Sequence, residues 1–170
     1  MPEKYQLISE NSDSTVVSDY VSPYQRTTSY QSETELEREL IKQLQAQAYE
    51  YLPIKNEADL TENLRTQLEK LNEYIFTDAE WRRFFAERIA NGNEGIADKT
   101  FKIQEDSTQL LQRDNGEVIN IRLLDKTNIH KNCLQVINQY EVSGARDNRY
   151  DVTLLVNGLP LVHKIGRAHV

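Results

Sequence analysis

The chain is poor in the residues that staple, kink or anchor a fold. Among its 170 residues there are one cysteine, one tryptophan, one methionine, four prolines and three histidines. A single cysteine, Cys133, excludes an internal disulfide and with it the disulfide-built secreted scaffolds; it fits a reducing cytoplasm, the location expected. Cys133 stands in an apolar run and reads as a small core residue rather than a reactive thiol. No apolar run approaches the roughly 20 residues of a membrane-spanning helix, so no membrane partner is expected. The start, Met1-Pro2-Glu3-Lys4-Tyr5, lacks the basic and apolar regions of a secretory signal. No G-x-x-x-x-G-K-[ST] run provides a phosphate-binding loop. A surplus of positive charge is also missing: 20 Lys and Arg face 27 Asp and Glu, a net charge of −7. A module that grips DNA by its phosphates needs the opposite balance. Composition therefore speaks against an independent DNA binder; other domains would have to supply the grip, or metal ions offset the repulsion at the carboxylates. What is present, 38% hydrophobic and 28% charged residues, suits one globular domain of ordinary size.

Residues 1–30 are rich in Ser, Thr, Asp and Tyr and read as an extended or mobile polar arm, with a short strand at Thr15-Val16-Val17. Ser32-Glu33-Thr34-Glu35 is a capping box, and Leu36, Leu40, Ile41, Leu44 and Ala48 follow at helical spacing, predicting a helix over 33–48. Asn56 caps a second helix with a stripe of Leu60, Leu64, Leu68 and Leu71, leaving Glu62, Arg65, Glu69 and Lys70 as a solvated face. A further capping box, Thr77-Asp78-Ala79-Glu80, opens a third helix that buries Trp81, Phe84, Phe85 and Ile89 and stops at residues 91–95. Beyond that the apolar period moves towards two. Asp114-Asn115-Gly116 separates two strands, Asn132 to Val142 forms another with Leu134, Val136 and Tyr140 on one face, and Arg149 to Val156 another. Asn157-Gly158 is the preferred two-residue hairpin turn, with Leu159-Pro160-Leu161-Val162 returning. Helices first and strands after predict an α/β fold with helices packed on a mixed sheet.

Asp151 heads the hairpin strand, where pattern alone favours a turn or strand-end residue over a ligand; the hairpin is what raises the functional reading. A two-residue loop sets it opposite residue 164; one bulge beside Pro160 sets it opposite 165. An Asp on one hairpin strand, facing a carboxylate and a lysine two apart on the other, builds a nuclease site. The carboxylates hold a hard divalent cation, and the lysine orients water or steadies developing charge.

Residues 31–50, Tyr74 to Phe84 and, above all, Asn148-Arg149-Tyr150-Asp151-Val152-Thr153-Leu154-Leu155-Val156-Asn157-Gly158-Leu159-Pro160-Leu161-Val162 resemble the amino-terminal domain of type I restriction enzyme R subunits. The resemblance implies a restriction-endonuclease-like PD-(D/E)xK core, truncated at its C-terminal side. It implies metal-dependent hydrolysis of DNA with Mg2+, coupled to ATP-driven translocation by motor domains not found in this sequence. DNA, a modification methyltransferase and a specificity subunit are the implied partners. Asp151 takes the family's first catalytic position. Glu37, or as a weaker match Glu33, takes that of the helical glutamate above the metal; the bland alternative for Glu37 is an ordinary solvent-facing charge.

The family pattern then breaks. Where Glu-x-Lys is expected after Leu161-Val162, position 165 holds Ile and position 167 holds Arg. Isoleucine ligates no metal, and the planar, permanently charged guanidinium does not replace lysine. Ile-Gly-Arg-Ala-His-Val is also what ATC GGA AGA GCA CAC GTC encodes, a run found in common sequencing adapters. The expected organisation is a polar arm at 1–30, the N-terminal part of a nuclease domain at 31–163 and a non-native tail at 164–170. His130, His163 and His169 form neither a zinc set nor a triad.

Overall fold

The computed structural model describes residues 6–10, 15–18, 32–142 and 148–164. The chain divides into two compact units, residues 1–31 and 32–170. In the first, β1 (Gln6–Glu10) pairs antiparallel with β2 (Thr15–Ser18), with an irregular register between Leu7 and Ser9. The expected strand at Thr15-Val16-Val17 is β2; β1, its partner, carries too weak an alternation to be read from sequence.

The second unit opens with α1 (Glu33–Ala46). Ser32 accepts from the Glu35 amide at 3.3 Å, and the Glu35 carboxylate accepts from the Ser32 amide at 2.9 Å, which is the expected capping box. The helix is two residues shorter than predicted because Ala48 turns to φ 68, letting the Tyr49 amide close back onto Leu44 O at 3.0 Å. Its buried side also differs. Leu36 is 45% exposed, whereas Glu37 is only 9% exposed and begins the inward stripe with Leu40, Ile41 and Leu44.

β3 (Glu50–Tyr51) follows, then α2 (Glu57–Asn72), capped by Asn56 on the Asp59 amide at 2.8 Å. Leu64 and Leu68 are buried as predicted, but Arg65 is not part of a solvated face. Its guanidinium bonds Glu69 at 3.1 Å, Asp78 at 2.8 Å and Phe76 O at 2.6 Å, tying the helix to the next one. That next helix, α3 (Asp78–Phe84), continues into a π turn over Phe85–Ile89. Phe76, Trp81 and Phe84 stack with Tyr74 and Phe85 at centroid distances of 5.4 to 6.4 Å. This aromatic cluster forms one core with Leu64, Leu68, Leu111, Ile121, Leu123 and Leu159.

α4 (Ile96–Gln104) corrects the expectation of strand-like structure after residue 95. The helix buries no residue, and Ile96 and Phe101 are 86% and 61% exposed, so it writes no apolar stripe into the sequence. It is held instead by polar contacts: Asp98 accepts from the Gly95 amide, and Lys102 bonds Glu94 at 2.5 Å and Arg88 O at 2.7 Å.

β4 (Thr108–Gln112) and β5 (Val118–Arg122) form the expected hairpin across residues 114–116. β6 (Leu134–Val142), β7 (Asn148–Val156) and β8 (Leu159–Lys164) complete a four-stranded sheet of order β3-β6-β7-β8. β3 runs parallel to β6 and the other pairs are antiparallel, so the sheet is mixed, as expected. Adjacent residues Val136 and Ile137, and likewise Val152 and Thr153, are all buried. Both faces are therefore covered, rather than the single face expected for Leu134 and Val136; the Tyr140 side chain lies outside the described residues. Ile137 and Leu155 pack with Ile54, Leu52 and Leu60. Cys133 is half-buried; burial, with Glu50 at 3.9 Å, pushes its thiol pKa up and keeps it from thiolate chemistry.

Glu80 gives the fold an acid limit. Only 2% exposed, its carboxylate would be pushed up by burial. The Thr77 amide (3.0 Å), the Tyr74 hydroxyl (2.8 Å) and the Asp114 amide (3.1 Å) outweigh that and hold its pKa below the usual range. A depressed folded pKa contributes stability above the unfolded value, about 4.3, that is lost as pH falls through the folded one. Glu80→Gln should therefore melt well below the wild type near neutrality, and the gap should narrow progressively as pH falls below the unfolded value. Melting curves that stay parallel across that fall would contradict the assignment.

Candidate metal centre

The β7–β8 hairpin positions Asp151. Asn157 and Gly158 take left-handed backbone, φ 51 and 82, closing the two-residue turn predicted from Asn-Gly. Val156 pairs with Leu159 and Leu155 with Pro160, but Leu154 pairs with Val162. Leu161 is thus the extra residue of a bulge beside Pro160, where the missing N–H already interrupts the ladder. Beyond it the pairs are Thr153 with His163 and Val152 with Lys164, one step short of Asp151. Positions 165–170, including Ile165, Arg167 and His169, lie outside the described residues.

Asp151 is half-buried on β7. On the neighbouring strand Asn138 pairs with Val152 and Tyr140 with Tyr150, so Gln139 is the residue alongside Asp151. Glu37 reaches β6 from α1. One carboxylate oxygen accepts from Asn138 Nδ2 at 2.6 Å and the other from Gln139 Nε2 at 2.8 Å. Glu37 is therefore a buried, hydrogen-bonded carboxylate, not a solvent-facing charge. Glu33 occupies the first turn of α1, and its side chain lies outside the described residues.

Asn138 is held in turn. Its Oδ1 accepts from Tyr51 Oη at 2.9 Å and Lys55 Nζ at 3.0 Å, and Lys55 also bonds Asn138 O at 2.7 Å. None of these residues was singled out from the sequence. The one legible signal was Glu37 itself, a carboxylate at the head of an i, i+3, i+4, i+7 stripe with Leu40, Ile41 and Leu44.

Of the described histidines, His130 and His163 belong to different elements. His163 Nδ1 and Thr153 Oγ1 are 2.9 Å apart, and partial burial lowers the imidazole pKa. His130 sits in the short helix Ile129–Lys131. Among the described residues no group of three or more His, Cys, Asp and Glu is arranged to hold a metal ion. A cavity of about 480 Å³ lined by Ser107, Arg122, Asp125, Lys126 and Lys131 includes neither Glu37 nor Asp151.

The donor chemistry fits a hard cation. Mg2+ takes oxygen ligands and commonly rests on one or two carboxylates with the remaining positions filled by water, so Glu37 and Asp151 would hold it. Bound there, the ion would polarise a phosphate and lower the pKa of a bound water.

Residues 30–164 match the family described as "Type I restriction enzyme R protein N terminus". The chain is 46% identical over 156 residues to the type I restriction enzyme EcoprrI endonuclease subunit of Escherichia coli, covering 91% of this chain and 50% of that protein. It is 39% identical over 138 residues to the SsaAORF53P endonuclease subunit of Staphylococcus saprophyticus, covering 78% of this chain and 14% of that protein. The SauMSSORF170P endonuclease subunit of Staphylococcus aureus (strain MSSA476) is 37% identical over the same length. The chain thus spans half the length of one relative and 14% of the others. With a family match running from residue 30 to 164 and relatives 37% to 46% identical, the chain belongs to the type I restriction enzyme R proteins and corresponds to their N-terminal region.

Proposed function

We propose that this chain is the front part of a metal-dependent DNA-cleaving domain, with Glu37 and Asp151 as its metal-holding and catalytic carboxylates. The whole protein would cleave DNA by phosphodiester hydrolysis in the cytoplasm. ATP-driven translocation by motor domains outside this sequence would accompany cleavage, with a modification methyltransferase and a specificity subunit as partners. The observation that carries the reading is the meeting of α1 and β6 at Glu37, alongside the strand position of Asp151. A net charge of −7 fits a domain whose grip on DNA comes from elsewhere in the complex. On this reading the domains are the arm at 1–30, the nuclease portion at 31–163 and the tail at 164–170.

The 170-residue chain should bind Mn2+ weakly, as read by electron paramagnetic resonance, and should not cut plasmid DNA with Mg2+. Glu37→Gln and Asp151→Asn should each weaken Mn2+ binding about tenfold. Mn2+ affinity indifferent to both substitutions would end the metal-site reading, and Mg2+-dependent cleavage by this chain would end the claim that Ile165 and Arg167 disable it.

A second reading is favoured by those same two residues: a docking or regulatory domain that keeps the fold without the chemistry. Ile165→Glu with Arg167→Lys separates the two. Tighter Mn2+ binding in that double variant supports a nuclease site lacking only these groups; unchanged binding supports the docking domain.

A further inference from the structure

The polar residues around Glu37 do more than satisfy a buried carboxylate. In a regular strand, consecutive side chains point to opposite faces, so Asn138 and Gln139 should not reach one partner. They do so because Gln139 has φ 57 within an otherwise continuous register. A left-handed non-glycine residue costs about 1 kcal/mol or more and persists where the surroundings over-determine it, often at functional sites. Here the kink converges two amides on Glu37, one per oxygen.

The orientation of Asn138 is fixed by chemistry. Lys55 Nζ only donates, so the Asn138 atom facing it is the oxygen, and Tyr51 donates to that same oxygen. The amide nitrogen is left pointing at Glu37. Lys55 lies one residue removed, with its bonds on Asn138. Among the described residues no Lys or Arg forms an ion pair with Glu37. The carboxylate is consequently held by neutral donors. Each oxygen, accepting one amide, keeps a further lone pair for a cation.

We propose that Asn138 and Gln139 are positioning residues that aim the Glu37 carboxylate at the metal, and that Lys55 and Tyr51 set the amide of Asn138 for that task. The proposal rests on Glu37 being a metal-facing carboxylate. The test uses the whole 170-residue chain at a temperature where every variant is folded by circular dichroism. Mn2+ titration followed by electron paramagnetic resonance should show Asn138→Ala and Gln139→Ala binding roughly tenfold more weakly than wild type. Tyr51→Phe should weaken binding by a smaller factor. In the Glu37→Gln background, Asn138→Ala should cause no further loss, because it acts through Glu37. In 15N-labelled protein, Glu37→Gln should move the side-chain amide resonances of Asn138 and Gln139. If Glu37→Gln weakens Mn2+ binding but Asn138→Ala and Gln139→Ala do not, the positioning role is overturned and the metal reading survives. If Glu37→Gln has no effect on Mn2+, the metal reading fails and this proposal fails with it.

Discussion

Gly158→Ala should lower the stability of the second unit by roughly 3 kcal/mol, a fall in melting temperature of about 10 °C. Two effects add. Gly158 has φ 82, a left-handed conformation that costs an alanine about 1 kcal/mol. Its new Cβ would also lie 2.6 Å from Leu64 Cα and 3.0 Å from Leu64 N. Those are backbone atoms in the middle of α2, so no side chain can swing away; the hairpin must back off the helix. Leu159 and Leu64 belong to one core cluster, and that contact loosens with it. Gly116 supplies the control. It has φ 87, but a Cβ there meets nothing within 4 Å, so Gly116→Ala should show only the conformational part. Equal losses at the two glycines, by urea denaturation, would refute the close packing of hairpin and helix.

Asn157→Ala should be comparably severe, about 3 to 5 kcal/mol, for a different reason. Asn157 is 1% exposed and its side chain makes three bonds: Oδ1 accepts from the Cys133 amide at 2.8 Å, and Nδ2 donates to Leu123 O at 3.0 Å and Asn132 Oδ1 at 2.8 Å. Alanine strands the Cys133 amide and Leu123 O, while Asn132 Oδ1 loses one of its two donors and keeps the Asp125 amide; each unmade bond costs about 1 to 3 kcal/mol before relaxation. Asn157→Gly would relieve the φ 51 backbone but not the lost bonds, so it should recover only about 1 kcal/mol. A glycine variant as stable as wild type would show that the side-chain bonds contribute little. The clamp also matters to the site: it ties the turn to the start of β6 and the end of β5, and so fixes where Asp151 falls along the sheet.

The hairpin was legible because its signals are local. Asn-Gly demands a left-handed pair, Pro160 marks the break in the ladder, and together they foretell the bulge at Leu161. Capping boxes at Ser32 and Thr77 were legible for the same reason. Other features were not. α4 buries nothing, so periodicity is silent about it. β3 is two residues pairing in parallel with a strand more than eighty positions later, a link no local pattern encodes. At the candidate site, Asp151 and Glu37 could be named from residue type, place and family resemblance. The surrounding amides could not, because their convergence depends on one inverted φ at Gln139.

The bulge at Leu161 turns the hairpin into a ruler. Side chains along β8 can be exchanged with little effect on alignment, since five of its six residues are exposed. Chain length between Asp151 and the end of β8 cannot. Closing the bulge without losing a residue, or deleting a residue beyond it, would move every later position by one against Asp151 and trade the two faces of the strand. Evolution of this segment should therefore accept substitutions freely while rejecting single-codon insertions and deletions beyond the bulge.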